Sequence, residues 1–252
     1  MILELDEVAV SYGGVHAVRG VSLGLREGAL HALVGPNGSG KTTLINAVSR
    51  LTHLSGGTIT FDGADVSGLR PHQVYRRGLA RTFQGIRLVE DLTVRENVAL
   101  GFEGRTPEAR WFRRGASGAA LSAADEALDR LGIAGVAAER PGELPYGVQR
   151  RVEIARALAG DPRVLLLDEP VAGMGAAERV EIGETLRQLR ADGMTLLLVE
   201  HDLAFVLGLA DQLFVLDFGT LLASGDPHET AALPAVRTAF LGPEERRRDR
   251  SA

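Results

Sequence analysis

A chain of 252 residues with 45% hydrophobic and 24% charged side chains has the composition of one large folded domain, or of a core with a subdomain. Its formal net charge of −5 argues against nucleic acid as the main ligand, because such a ligand calls for a basic surface. The absence of cysteine excludes disulfide bonds and cysteine-based metal sites, and no apolar run reaches the roughly 18 residues of a membrane span.

The N-terminal region is acidic, which is unlike a signal peptide, and its hydrophobic residues alternate with polar ones. This alternation across positions 2–28 predicts short strands, with turns at 13–14 and 27–28. Tyr12 directly precedes the first turn. It could close a strand as a structural aromatic or stack on a nucleotide base, and the pattern alone favours neither.

The most informative stretch is LHALVGPNGSGKTTL at positions 30–44. An apolar run predicts a strand, a glycine-rich loop follows it, and a helix is predicted over 42–51. The loop matches the phosphate-binding pattern G-x-x-x-x-G-K-[ST], whose fixed positions hold Gly35, Gly40, Lys41 and Thr42. Backbone N–H groups of such a loop surround phosphate oxygens, the lysine neutralises the terminal phosphates, and the hydroxyl is placed for Mg²⁺. Lys41 is the only lysine of the chain, and a compact ammonium suits packed phosphates better than a guanidinium fork.

Further along, the patterns predict alternating helices and strands. The predicted elements are strand 58–61, helix 71–80, a short strand before Gln84, helix 121–131 with Ser122 as its N-cap, a loop running into a helix at 143–159, a buried strand ending at Asp168, helix 176–191, strand 195–199, and a C-terminal hairpin followed by a short helix. Trp111 and Phe112 lie between arginines, and they are interpreted as a tether in a solvated loop or as a contact for a partner or lipid headgroups. The arginine-rich tail at 243–252 is predicted to be disordered.

Two acids follow the buried strand in RVLLLDEP. In a protein with a phosphate loop, Asp168 would take part in the Mg²⁺ shell, and Glu169 could orient and deprotonate a water that attacks the γ-phosphate. The alternative is an acidic pair that only caps the following turn. For Gln84, an ordinary surface position is the alternative to a functional one.

Taken together, these segments resemble the ATP-binding subunits of ABC transporters, from Tyr12 to Gly242. The pieces that carry the resemblance, in the family's order and spacing, are Tyr12, the loop 35–43, Gln84, LPYGVQRRVEIARAL (144–158), LLLDEP (165–170) and His201. The resemblance implies an α/β fold, with a P-loop NTPase core, an N-terminal antiparallel β-subdomain and an inserted helical subdomain. It divides the ABC ATPase domain 1–242 into 1–84 (β-subdomain and phosphate-loop part of the core), 85–158 (helical subdomain with the signature) and 159–242 (the rest of the core).

The same resemblance implies an ATPase that uses ATP and Mg²⁺. Its nucleotide-binding residues would be Tyr12, Gly35, Pro36, Asn37, Gly38, Ser39, Gly40, Lys41, Thr42 and Thr43, with Tyr146, Gly147 and Gln149 acting in trans on the nucleotide of a paired ATPase chain. Mg²⁺ would be held by Thr42, Gln84 and Asp168, and the catalytic residues would be Glu169, His201 and Gln84. His201 would contact the γ-phosphate, and Gln84 would contact Mg²⁺ and the attacking water and signal to the membrane subunit. The implied partners are membrane permease subunits, a second ATPase subunit and, indirectly, a substrate-binding protein, with the chain peripheral on the cytoplasmic face of the membrane.

Within the family, several short sequence segments are most similar to those of the ATPase subunits of branched-chain amino acid importers. The segments concerned are ARTFQ followed by LTVRENV, a YG-type signature, and the ending FGTLLASGDPHE. ATPases of urea, amide or lipopolysaccharide transporters are close alternatives. A soluble ABC ATPase of DNA repair or translation would need a second cassette or a long coiled coil, which 252 residues do not hold. A GTPase would need an N-K-x-D motif, and the only lysine already lies in the phosphate loop.

Two departures from the family pattern affect the expected pairing of chains. The signature usually reads LSGGQ, whereas this chain has Pro145 in place of the serine and Val148 in place of the glutamine. Proline offers neither a hydroxyl nor a backbone N–H to a phosphate, which predicts a weaker signature. Gly175 stands where the family usually has Asp or Asn, so the resemblance does not imply communication between paired chains through that loop. A mixed pair with a different ATPase subunit is therefore predicted over a homodimer.

Overall fold

The computed structural model describes residues 1–105 and 115–240. The predictions for Trp111 and Phe112 and for the tail 243–252 concern residues outside these ranges. The chain divides into two compact units. The first joins Met1–Leu69 to the C-terminal part that begins at Arg190, and the second comprises Arg70–Leu189.

An antiparallel sheet of four strands forms the N-terminal part of the first unit, in the order β2-β1-β4-β5. Its strands are β1 (Leu3–Tyr12), β2 (Val15–Leu25), β4 (Gly56–Phe61) and β5 (Ala64–Asp65). The turn at 13–14 is where the sequence places it, but β1 and β2 are two long strands instead of several short ones. Register shifts on both sides of Val8 explain the difference, because each bulge changes the phase of the hydrophobic alternation without ending the strand.

The phosphate-loop strand lies among parallel strands of the first unit. β3 (Leu30–Val34) pairs with β8 (Thr195–Glu200) on one side and with β9 (Gln212–Asp217) on the other, and β10 (Thr220–Gly225) is antiparallel to β9. Every residue of β3 and β8 is buried, which agrees with their unbroken apolar runs. The helices of this unit are α1 (Lys41–Val48), α7 (Leu203–Leu207), α8 (Pro227–Ala232) and α9 (Pro234–Phe240).

In the second unit, β6 (Leu79–Arg81) pairs in parallel with β7 (Val164–Asp168). Its helices are α2 (Pro71–Arg76), α3 (Val94–Glu103), α4 (Gly118–Arg130), α5 (Tyr146–Leu158) and α6 (Ala176–Ala191), with short 3-10 helices at Ala134–Val136 and Pro141–Glu143. Helices α3, α4 and α5 pack on one another. No helix within 1–105 or 115–240 has the length and apolar character needed to cross a membrane.

The structure corrects one helix N-cap that was predicted from the sequence. The N-cap of α4 is Ser117, whose hydroxyl accepts a hydrogen bond from the N–H of Ala120, so the assignment of this role to Ser122 was wrong. Ser122 lies inside the helix and contacts Glu126 at 3.5 Å. The helix begins a turn earlier because the alanines between the two serines favour helix. By contrast, the prediction of a helix over 176–191 is confirmed.

Candidate functional site

Lys41, in the phosphate loop of the first unit, is the first residue of α1, and only 6% of it is exposed. Its Nζ donates hydrogen bonds to the carbonyl oxygens of Gly35 at 2.6 Å and Pro36 at 3.1 Å. The loop therefore curves over its own ammonium group. Two carbonyls solvate a charge that phosphate oxygens would bind more strongly, because a bond between two charged groups exceeds one to a neutral carbonyl.

Backbone geometry in the same loop fits an anion. Gly40 has φ +103°, and a Cβ there would come within 2.6 Å of the Ala17 carbonyl oxygen, so only glycine fits. The Ser39 hydroxyl is buried and has no hydrogen-bond partner among residues 1–105 and 115–240. Asn37, Gly38 and Thr42 are exposed, and Thr42 lies in the first turn of α1, where helix N–H groups favour negative charge. A buried unpartnered hydroxyl, an ammonium and a helix N-terminus together form a donor set for phosphate.

Two further predicted residues belong to the first unit. His201 directly follows β8, and because Glu200 pairs with Val34, it leaves the sheet beside the start of the phosphate loop. Its side chain is 54% exposed, and its Nδ1 lies 3.8 Å from the Glu200 carboxylate. Tyr12 ends β1 and is 51% exposed, while its hydroxyl is 3.0 Å from the Thr52 hydroxyl. A fixed hydroxyl with an exposed ring is suited to stacking on a base.

Gln84 and Glu169 meet in the second unit. The Gln84 Nε2 donates to Glu169 Oε2 at 2.8 Å, so the structure brings two predicted catalytic residues into contact. Glu169 adopts φ +45°, a left-handed conformation that costs a non-glycine residue about 1–2 kcal/mol. Such strain persists where surrounding structure holds it, and it clusters at functional sites.

Asp168, at the end of β7, is held by an arginine that the sequence interpretation missed. Arg81 Nη2 lies 2.8 Å from Asp168 Oδ2, and the two side chains are 7% and 3% exposed. The contact arises because β6 pairs with β7, which places Arg81 opposite Leu166. Burial lowers the pKa of Arg81, and the Asp168 charge opposes that shift. The carboxylate is thus oriented and neutralised within the chain.

We expect Arg81→Met to lower the free energy of unfolding by about 3–5 kcal/mol, because it leaves the Asp168 carboxylate buried without its counter-charge. Chemical denaturation measures the change. Adding Asp168→Asn removes the orphaned charge and should restore part of the loss. If Arg81→Met alone costs less than about 1 kcal/mol, the ion pair does not carry this stabilisation.

The signature residues Tyr146, Gly147 and Gln149 form the first turn of α5 in the second unit. Pro145 is the N-cap and provides no side-chain cap. The Gly147 N–H instead donates to Glu178 Oε1 at 3.2 Å, and Glu178 Oε2 accepts from the Gly175 N–H at 3.0 Å. One carboxylate therefore caps both α5 and α6, a role that the sequence interpretation missed.

The other two signature side chains differ in their exposure and contacts. Gln149 Nε2 donates to the Leu144 carbonyl at 2.9 Å, which engages this amide within the chain. Tyr146 is 41% exposed. Gly147 is buried with its N–H bonded to Glu178, so of the three signature residues Tyr146 is the exposed one.

Comparison with known proteins places the sequence among transport ATPases. Residues 18–172 match the ABC transporter family model. The high-affinity branched-chain amino acid transport ATP-binding protein LivG of Salmonella typhimurium is 40% identical over 253 residues, which covers 96% of this chain and 98% of LivG. The corresponding protein BraF of Pseudomonas aeruginosa is 36% identical with the same coverage.

Solved structures agree on the fold. A nucleotide-free ATP-binding cassette from an ABC transporter superposes with a TM-score of 0.87 at 30% identity, covering 96% of this chain and 99% of that one. A cassette in its ADP conformation gives 0.84 at 30% identity and covers 96% of each chain. The predicted fold class, a P-loop NTPase core with a β-subdomain and a helical subdomain, is confirmed.

Proposed function

Because this chain belongs to the ABC transporter family, as an ATPase subunit that powers a separate membrane permease, we propose that it drives the import of branched-chain amino acids. The supporting observation is the similarity to LivG and BraF along nearly the whole chain. Urea, amide and lipopolysaccharide transport are the alternatives. The proposed location is the cytoplasmic face of the membrane, through binding to the permease.

In this proposal, ATP is bound by the phosphate loop and by Tyr12. The loop 35–43 binds the phosphates of ATP, with Lys41 as counter-charge, and Tyr12 stacks on adenine. Mg²⁺ would be held by Thr42, Gln84 and Asp168, and when bound it neutralises charge on the β- and γ-phosphates. The fit rests on the donor set of the loop and on the buried carboxylate of Asp168.

Proton transfer in this proposal belongs to Glu169. Its carboxylate accepts the proton of a water that attacks the γ-phosphate, and the Gln84 amide keeps the carboxylate oriented. His201 donates to the γ-phosphate from the end of β8. Glu169 and His201 directly follow β7 and β8, and Gln84 lies shortly after β6.

The substrate assignment is tested by co-purifying the chain with its permease from native membranes and reconstituting the complex in vesicles. We expect isoleucine, leucine or valine, delivered by its binding protein, to stimulate ATP hydrolysis and to accumulate in the vesicles. Stimulation by urea or by an amide, with none by these three amino acids, would assign the chain to a neighbouring transporter type.

The paired ATPase is proposed to be a different chain. This chain keeps its phosphate loop, Asp168 and Glu169, whereas its signature offers Gly147 without a serine hydroxyl. Two copies of such a signature would weaken both sites of a homodimer, and one copy weakens only the site that it serves.

We expect Gly147→Asp in the assembled complex to disable one of the two ATP sites, since a new carboxylate would stand beside Glu178 and repel phosphate. The site built on Lys41 and Glu169 should still trap nucleotide. Trapping of labelled nucleotide with identification of the occupied chain measures this, and Gly142→Asp, at an exposed glycine with open space around it, is the control. A tight ATP-driven homodimer with the turnover of the full complex would contradict the mixed pair.

A further inference from the structure

Arg150 is the largest fully buried side chain within residues 1–105 and 115–240, and 0% of it is exposed. It lies on α5, one turn after the signature residue Gly147. An arginine is seldom buried completely, since its guanidinium loses its hydration and needs hydrogen-bond partners within the protein. None of the steps of nucleotide binding or proton transfer described above uses this residue.

The Arg150 guanidinium holds the backbone on both sides of one residue. Its Nη1 donates to the Phe83 carbonyl at 2.7 Å, and its Nη2 donates to the Gln84 carbonyl at 2.7 Å. These two carbonyls belong to the peptide groups before and after the Cα of Gln84. Anchoring both peptide planes fixes the backbone of Gln84 and thereby the direction in which its side chain leaves. The planar fork of arginine is suited to such a two-point contact.

Two more residues of α5 hold the same segment. Glu153 Oε2 accepts from Arg150 Nη1 at 2.7 Å, and Glu153 Oε1 lies 3.4 Å from the Arg87 N–H. Arg156 Nη1 donates to the Arg87 carbonyl at 2.6 Å. Residues three positions apart share one face of a helix, so a single face of α5 binds the segment 83–87.

The Gln84 side chain completes the connection by donating to Glu169 at 2.8 Å. One end of α5 therefore carries the signature amide, and its buried face holds the segment of Gln84, whose side chain bonds the proposed base. We propose that Arg150 is a positioning residue that, from the buried face of α5, holds Gln84 against Glu169. The inference rests on the proposed roles of Gln84 and Glu169. Stability alone does not require this arrangement, because a buried Arg–Glu pair can often be replaced by hydrophobic residues without loss.

The first test compares Arg150→Gln with Arg151→Gln in the assembled complex. We expect Arg150→Gln to reduce kcat by about 10- to 100-fold, as misplacement of a catalytic group does, while the Kd for ATP changes less than about twofold. Arg151 is the matched control, because it pairs at the surface with Glu181, whose side chain is 54% exposed. Arg151→Gln should leave both quantities unchanged.

A double-mutant cycle separates positioning from general destabilisation. If Arg150 acts through Gln84, Arg150→Gln adds no further loss of kcat to Gln84→Ala. Should Arg150→Gln leave too little folded protein, Arg150→Gln with Glu153→Gln removes both buried charges and is used in its place. Multiplicative losses, with kcat falling by the product of the single effects, would overturn the proposal.

A separate variant distinguishes a failure of the positioning role of Arg150 from a failure of the proposed ATPase function. Glu169→Gln in the otherwise unaltered complex reports on the function alone. If Glu169→Gln abolishes turnover while Arg150 and Gln84 act independently, Arg150 has no positioning role and the ATPase assignment stands. If Glu169→Gln leaves turnover intact, the assignment of the base fails first.

Discussion

ATP hydrolysis should disappear when Lys41 is replaced by alanine, while the fold remains. The proposed counter-charge to the terminal phosphates is the Lys41 ammonium, which belongs to the only charged residue of the loop 35–43 and is held at the loop carbonyls of Gly35 and Pro36. Loss of one charge-assisted hydrogen bond, worth about 1.5–3 kcal/mol, predicts ATP affinity lower by about 10- to 150-fold. Loss of charge stabilisation in the transition state predicts at least about 100- to 1,000-fold lower kcat.

Nucleotide titration and a phosphate-release assay measure the two effects of Lys41→Ala. Arg237→Ala, which removes an exposed cation from α9 in the same unit, is the control and should change neither. Lys41→Arg is a second informative variant, because it keeps the charge but places a wide guanidinium in a loop built for an ammonium. Near-normal hydrolysis by Lys41→Ala would remove the basis of the nucleotide assignment.

Glu169→Gln should bind ATP, associate with the paired ATPase chain and stall. The amide keeps the size of the carboxylate and can still accept the Gln84 hydrogen bond, but it cannot take a proton from water. General-base catalysis contributes about 100- to 10,000-fold, so kcat should fall by that factor while ATP affinity is retained. Size-exclusion chromatography with and without ATP should show an ATP-dependent shift to the dimer.

The control for Glu169→Gln is Glu181→Gln, which changes an acid on α6 whose carboxylate pairs at the surface with Arg151. Its turnover and elution should match those of the unaltered protein. Unchanged turnover in Glu169→Gln itself would mean that Glu169 is not the base. His201 would then be the better candidate, since it follows β8 beside the start of the phosphate loop.

Local sequence was sufficient for the structural elements that are continuous in the chain. The phosphate loop, the strand that ends at Asp168 and helix 176–191 each depend on spacing within one segment, which a local pattern can reveal. The sequence prediction failed where two local features could give the same pattern. Bulges around Val8 looked like strand ends, and Ser117 capped α4 ahead of Ser122.

Contacts between distant residues could not be predicted in the same way. Arg81 reaches Asp168 only because β6 pairs with β7, and Arg150 reaches Gln84 only because α5 packs beside that segment. A single sequence contains no information on which strand pairs with which. The available signals were weak: an arginine at the end of a short strand, and two consecutive arginines in the signature helix.

The carboxylate of Glu178 gives the signature turn an internal ligand, and this changes the thermodynamics of anything that binds there. The Gly147 N–H already donates a hydrogen bond to Glu178. When a phosphate binds there, this N–H exchanges one acceptor for another, and no unpaired donor gains a partner. The net gain at this atom is the difference between two charge-assisted hydrogen bonds, which is smaller than the roughly 1.5–3 kcal/mol of either bond alone. A lone anion from solution therefore gains little binding free energy at this turn. A phosphate of an ATP that also contacts a paired ATPase chain makes many contacts at once and can displace the Glu178 carboxylate. The turn thus favours the phosphate of an assembled pair of chains over a free anion.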